Sequence, residues 1–440
     1  MTAPLASKAA FQRIADTILS SSQAEHTSVS FTDSESSTLR LANNQVAQNV
    51  SVREPNVSIR AAFGKKHGSA STNRLDSNSL VETLRRAETI ARLAPEDREY
   101  LPPLPPQNYI DVPSYRKSTA ATTPAEVARK ARPVIEQCDK NGLVGAGILS
   151  HSISARGLAA SSGLFGYSQS TEAEFSLTAT AGDSSGWTYN SHRDIDALDI
   201  ARRTNRAVEK AVASKEPREL AAGHYPVILE PAAVAGVFGP LMFALNAKSY
   251  FKGDSALAGK LDSQILDNRL TLRTDPANRD LLGEPFDQAG LATRPMVWVE
   301  NGVLKQLYFD RFTAQERGVE PTPFPSAPVL SFSAAQPRSI DDLIAETKRA
   351  ILITNFWYIR SVDPTDLTIT GMTRDGTFLV EDGKIVAGVK NFRFHDSPLR
   401  CFANVEAATQ PMESITMERG KMMLPAIRLP DFHLSSVTKF

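Results

Sequence analysis

The chain has 440 residues, more than one ordinary hydrophobic core organises, so two domains are expected. Lys plus Arg and Asp plus Glu both number 49, and this zero net charge argues against a nucleic-acid-binding surface. The only two cysteines, Cys138 and Cys401, make neither a disulfide framework nor a CxxC metal site, and a reduced, cytoplasmic setting is expected.

Residues 1–19, MTAPLASKAAFQRIADTIL, lack the basic start and unbroken apolar run of a secretory leader. Phe11, Ile14, Ala15 and Ile18 instead fall at helical spacing. No apolar stretch reaches the roughly 18–20 residues that span a bilayer, so no membrane is expected. Residues 26–72 alternate apolar and polar positions (Val29 and Phe31, Leu39 and Leu41, Val57, Ile59 and Ala61) and predict a run of antiparallel strands. Leu80, Leu84, Ala87 and Ala91 then form a helical stripe suited to covering that sheet. Five prolines in LAPEDREYLPPLPPQNY exclude regular structure and predict an extended strap over about 101–113.

Residues 124–140 have helical character, with Pro124 suited to the first turn and Pro133 expected to break or kink it. Gly/Ser turns and alternation predict strands over 142–192. DIDALDIARRTNRAVEKAVAS, residues 194–214, predicts a helix whose apolar stripe includes Ile195, Leu198, Ala207 and Val208. KEPREL then marks a boundary near 220. The second half opens with the strand HYPVILEP. Two hairpins follow, with Asn301-Gly302 and Asp382-Gly383 as turns that tolerate positive φ. IDDLIAETKRAILIT predicts a helix running into a strand.

Four segments carry a family resemblance: LRLANNQVAQNVSVREPNVSIRAAFGKKHGSASTNRLD (39–76), SSGLFGYSQSTEAEFSLTATAGDSSGW (161–187), GLATRPMVWVENGVLKQLYFDRFTA (290–314) and GTFLVEDGKIVAGVKNFRF (376–394). None is a catalytic motif, but in this order they make the chain resemble the TldD/PmbA family, peptidase-type proteins once described as modulators of DNA gyrase. The resemblance implies an α+β fold with a mixed α/β N-terminal domain, residues 1–220, and a β-rich C-terminal domain, residues 221–440. It also implies two kinds of subunit. The TldD kind carries HExxxH on a helix and a later cysteine that completes a zinc site. The PmbA (TldE) kind lacks these ligands and partners the first.

A catalytic zinc needs about three protein ligands and an open position for water, with a glutamate as general base. An ungapped match to HExxxH puts Pro240 at the first histidine, Leu241 at the glutamate and Leu245 at the second histidine. No histidine lies between His224 and His395 in any register. Because Pro240 has no N–H, the helix is expected to start near it. Cys401 falls ahead of the family's cysteine. No catalytic or metal-binding residue is therefore assigned to this chain, and zinc is expected only in a TldD-like partner.

The seven histidines (His26, His67, His151, His192, His224, His395 and His433) include no helical pair. His395-Asp396 is a conceivable dyad, although Asp396-Ser-Pro is also turn chemistry. Cys401 is more simply a small buried hydrophobe than a nucleophile. The candidate peptide or partner surface is the segment carrying Trp357, Tyr358, Arg360 and Arg374. Three consecutive aromatics on a strand cannot share one face, so at least one leaves the core. The opposing reading keeps Phe356 and Tyr358 inside and pairs an arginine with Asp363 or Asp366. The implied function is that of a non-catalytic PmbA/TldE-like subunit, partnering a zinc-dependent TldD-like protease in proteolysis of peptides or unfolded protein. The alternative is a stand-alone homodimeric binding or scaffold protein.

Overall fold

The computed structural model describes residues 5–334, 339–416 and 420–438. Residues 26–192 build one antiparallel sheet of six strands, in the order Lys66–Thr72, Gln45–Phe63, His26–Ala42, Val144–Ala160, Phe165–Ala181 and Ser184–His192. Alternation puts Val29, Phe31, Leu39 and Leu41 on one face of His26–Ala42, all buried. A strand of 17 residues is about 55 Å long, enough to carry two helix layers on the same face. Toward one end, helices Lys8–Ser21 and Ser77–Leu93 set Phe11, Ile18, Leu80 and Leu84 against Val29, Phe31, Val57 and Ile59. Toward the other, helices Pro124–Lys140 and Ile200–Ala213 set Val127, Val134, Ala207 and Val208 against Leu39, Leu41, Phe175 and Leu177. Each such side chain contributes about 1.5–3 kcal/mol when fully buried. Buried Asp33 accepts from the Arg53 guanidinium at 2.8 Å and the Ala6 N–H at 2.8 Å.

Pro133 does not break its helix, which runs from a Thr123–Glu126 capping box through Lys140. The proline is exposed, so the hydrogen bond it removes is lost on the solvent side. The expected helix over 194–214 is divided at Asp199 (φ 47°) into a 3₁₀ turn, Ile195–Leu198, and the α-helix from Ile200.

In the second half, strands Arg349–Asp363, Gly223–Leu229, Ile427–Val437, Phe392–Asp396 and Thr368–Glu381 pair in that order, and the last pairs with the first to close a barrel. A further sheet runs Val303–Leu304, Met296–Glu300, Leu270–Thr274, Pro328–Phe332, Gly420–Leu424 and Met412–Thr416. Both hairpin turns form as the dipeptides require, with φ of 48° and 77° at Asn301-Gly302 and 45° and 79° at Asp382-Gly383. The helix Pro231–Ala244 shares one core with the barrel and this sheet, and Val234, Ala235, Val237, Phe238 and Leu241 are fully buried. It starts at Pro231, nine residues before Pro240, which lies inside it. Pro231 supplies the fixed φ of a first turn. Burial of an all-apolar helix outweighs the roughly 3 kcal/mol that an interior proline costs.

The strap ties the halves together. The Tyr109 hydroxyl donates to the Gly290 carbonyl at 2.9 Å, its ring lies 4.9 Å from that of Phe286, and Arg311 Nη2 donates to the Pro102 carbonyl at 2.5 Å. Among the described residues, no helix is long and apolar enough to cross a membrane.

Candidate functional site

Three places bear on function: the helix Pro231–Ala244, the groove at its N-terminal end, and an arm leaving the barrel. On the helix, Leu241 is fully buried, as is Leu245 just beyond it, and Phe238 meets Phe402 edge-on with ring centroids 5.8 Å apart. Leu241 and Leu245 face a hydrocarbon core, Pro240 is half-buried at its edge, and none of the three side chains offers a ligand atom. A zinc of the HExxxH kind does not fit these residues.

The groove, about 1040 Å³ in volume, separates the first sheet from the second half. Two outer strands flank it, Ser184–His192 with Trp187 and Tyr189, and Met412–Thr416 with Glu413 and Ser414. Its wall includes Lys210, whose Nζ donates to Glu230 Oε2 at 2.6 Å, both side chains being largely buried. Burial lowers the Lys210 ammonium from its ordinary value, and Glu230 opposes that shift. Arg206 Nη2 also reaches Glu230, at 3.4 Å. Glu413 is held by Lys421 Nζ at 2.8 Å and Arg203 Nη2 at 3.2 Å. Thr354 Oγ1 and Ser414 Oγ, both buried at the wall of the groove, have no hydrogen-bond partner among the described residues. Sequence reasoning missed this site. Its signal was Lys210, a charge inside the apolar stripe of Thr204, Ala207, Val208 and Ala211.

His192, Asp280 and Glu413 bring three potential ligand atoms within 4.8 Å of one another, as no other group among the described residues does. Lys421 and Arg203 already balance Glu413. Burial and then Lys421 hold the His192 imidazole below its ordinary value. The group's carboxylates and imidazole are engaged in an ion-pair network with Lys421 and Arg203.

The arm is formed by the barrel hairpin beyond Thr354. Phe356 points into the core, 4.5 Å from the Phe394 ring. Trp357 pairs with Met372 and Arg360 with Thr370, so Tyr358 and Ile359 face the single residue Gly371 across a β-bulge. Tyr358 takes φ 56°, and the bulge undoes simple alternation. Trp357 and Tyr358 are 46% and 48% exposed, whereas Ile359 is buried. The Arg374 guanidinium stacks on Trp357 at 4.3 Å and that of Arg360 on Tyr358 at 4.1 Å. The four candidate residues thus form one exposed cluster, and Tyr358 is not in the core. Arg360 does not share a face with Phe356, because the bulge turns it outward. Asp363 accepts from Thr365 instead of pairing with an arginine.

His395 and Asp396 are neighbours on one strand and face opposite ways. His395 is exposed, whereas buried Asp396 binds the Arg400 guanidinium and the His433 N–H. Burial and Asp396 push the Cys401 thiol well above its ordinary value, the reverse of what a nucleophile needs.

Three models of the PmbA/TldA metallopeptidase match the chain: domain 1 over residues 27–91, the central domain over 111–215 and the C-terminal domain over 222–436. A metalloprotease of Methanothermobacter thermautotrophicus is 28% identical over 255 residues, covering 52% of this chain and 54% of the relative. Metalloprotease PmbA of Escherichia coli O157:H7 is 24% identical over 235 residues, covering 52% and 50%. The aligned part thus spans about half the length of these relatives. The crystal structure of TldE from Thermococcus kodakarensis superposes with a TM-score of 0.87 at 20% identity, over 96% of this chain and 99% of that one, a likeness of fold. The chain belongs to the TldD/PmbA metallopeptidase family.

Proposed function

We propose that this chain is a non-catalytic, PmbA/TldE-like subunit that partners a zinc-dependent TldD-like protease and helps it hold peptides or unfolded protein. The observation that carries this reading is the helix Pro231–Ala244. Where the family's protease kind needs two histidines and a glutamate, this helix and the residue after it place Leu241 and Leu245 in a closed apolar core, with half-buried Pro240 at its edge. The groove supplies the holding function. Its two flanking strands end their sheets among the described residues; Ser214 and Lys421 hold the first strand at Ser185 and Ser191, and an extended chain adds along the stretch between them through backbone hydrogen bonds with little demand on sequence. The Trp357, Tyr358, Arg360 and Arg374 cluster supplies the kind of aromatic and arginine anchors that dominate protein interfaces.

The test is metal content and peptidase activity of the purified chain, with and without a co-expressed TldD-like protein. No zinc alone, and activity only in a stoichiometric complex, is the expected result. Stoichiometric zinc with activity in the chain alone overturns the proposal. A stable self-dimer that never takes up a TldD-like protein overturns it in favour of a scaffold role.

A further inference from the structure

A second cavity, about 300 Å³, lies on the face of the first sheet away from its helices. The strand register builds its floor. Ser69, Arg60 and Ser28 stand side by side across three strands, with Ser58 and Ser30 in the next row. Tyr100, Leu101 and Pro103 from the start of the strap, and Arg311 from the second half, also line it.

The chemistry of this cavity is one-sided. Arg60 and Arg311 line it and no carboxylate does. Neither guanidinium has an ion-pair partner among the described residues, whereas half-buried Arg156 donates to the Phe286 and Asp287 carbonyls. Arg60 lies 5.8 Å from the Tyr100 ring, and Arg311 donates to the Pro102 carbonyl. The acids closest in influence are engaged elsewhere: Asp97 with His67 at 2.9 Å, Asp287 with the N–H groups of Ala289 and Leu291 at 2.8 and 3.0 Å, and Glu25 with the Gly64 N–H at 3.1 Å. The hydroxyls of Ser28, Ser30, Ser58 and Ser69 line the cavity. Burial raises the Tyr100 phenol, so it is a donor at neutral pH. One flank, formed by Leu158, Leu164 and Pro103, is apolar.

We propose that this cavity binds a small phosphomonoester, its phosphate on Arg60, Arg311 and the serine floor and its organic part against Leu158 and Leu164. Two guanidinium forks and several hydroxyls exceed what the two oxygens of a carboxylate accept, whereas a phosphate presents three charged oxygens to them. Because Arg60 belongs to the first sheet and Arg311 to the second half, the bound ester bridges the two. The proposal is independent of the subunit role.

Calorimetric titration of the full chain tests it, with phenyl phosphate, inorganic phosphate and benzoate as probes. Phenyl phosphate is expected to bind one per chain, more tightly than inorganic phosphate, and benzoate at least about tenfold more weakly. Arg60→Ala and Arg311→Ala are each expected to weaken phenyl phosphate by about tenfold or more. Arg311→Lys keeps the positive charge near the strap and is expected to lose less. Unchanged thermal unfolding of Arg60→Ala, whose side chain is exposed, separates lost binding from lost fold. No binding of phenyl phosphate, or binding untouched in the arginine variants, overturns the site. Equal affinity for benzoate overturns the phosphate assignment, and equal affinity for inorganic phosphate overturns the ester.

Discussion

The helix Pro231–Ala244 and the arm carrying Trp357 are both rich in large apolar side chains, yet the fold treats them in opposite ways. The helix is buried along most of its length, leaving Phe243 exposed, and its identity at 241 and 245 is set by packing. The arm puts only Phe356 and Ile359 inside and turns Trp357, Tyr358 and two arginines to solvent. Enclosed apolar residues stabilise the chain. Exposed ones, held by stacked guanidiniums, are available to something else. The helix is closed by its packing, while the arm beside it keeps an open surface.

The sharpest way to break this contrast is to charge the closed region. Leu241→Glu puts an unpaired carboxylate where no donor or water reaches, and is expected to cost at least about 3 kcal/mol, read from the urea midpoint. A tolerated Leu241→Glu would mean that the helix has polar space beside it and that the site is not closed. Asp267 sharpens the same side. Its N–H donates to the Phe402 carbonyl, and its carboxylate accepts from the Val405 N–H at 3.0 Å and Arg269 Nε at 2.9 Å, pinning the loop that carries Phe402 against Phe238. Burial pushes this carboxyl up, but Arg269 and the two N–H groups outweigh it and bring it down to about 2. A carboxyl depressed on folding gives stability that is present above its unfolded value, near pH 4, and is lost as pH falls toward 2. That loss is about 2 kcal/mol, and Asp267→Asn is expected to flatten stability across this acid window.

On the open side, Trp357→Ala and Arg374→Ala are expected to leave stability within about 0.5 kcal/mol of the parent. Binding to a TldD-like partner, measured by titration, is expected to weaken about tenfold for Trp357→Ala. An equal loss of stability would make the cluster structural.

Local chemistry carried much of this fold in readable form. Asn301-Gly302 and Asp382-Gly383 set their hairpins, and Val29, Phe31, Leu39 and Leu41 marked one buried face. What stayed hidden depends on distant partners. His26–Ala42 runs unbroken through the polar Ser34–Ser37, and buried Asp33 in it is satisfied by Arg53 across the sheet. Lys210 stands out inside an apolar stripe, but its partner Glu230 is brought beside it only by the second half. The aromatics at 356–358 announced that something must leave the core, but a bulge opposite Gly371 decided which. A Cβ at Gly371 would come within 2.7 Å of the Phe394 ring, so the strand facing Tyr358 and Ile359 has no room for a side chain.

That bulge offers the finest test. Tyr358 holds φ 56°, a conformation that costs a residue with a Cβ about 1–2 kcal/mol and glycine almost nothing. In an ordinary strand, glycine is less stable than alanine by roughly 0.5–1 kcal/mol, because its unfolded chain is freer. At position 358 the order is expected to reverse. Tyr358→Gly should exceed Tyr358→Ala by up to about 1 kcal/mol in urea unfolding, since both lose the ring over which Arg360 stacks and only one keeps the strain. Alanine emerging as the more stable would mean that the backbone at 358 is extended in solution. Simple alternation would then send Tyr358 inward beside Phe356, leaving Trp357 as the lone exposed aromatic, and the arm would resemble the closed helix more than its opposite.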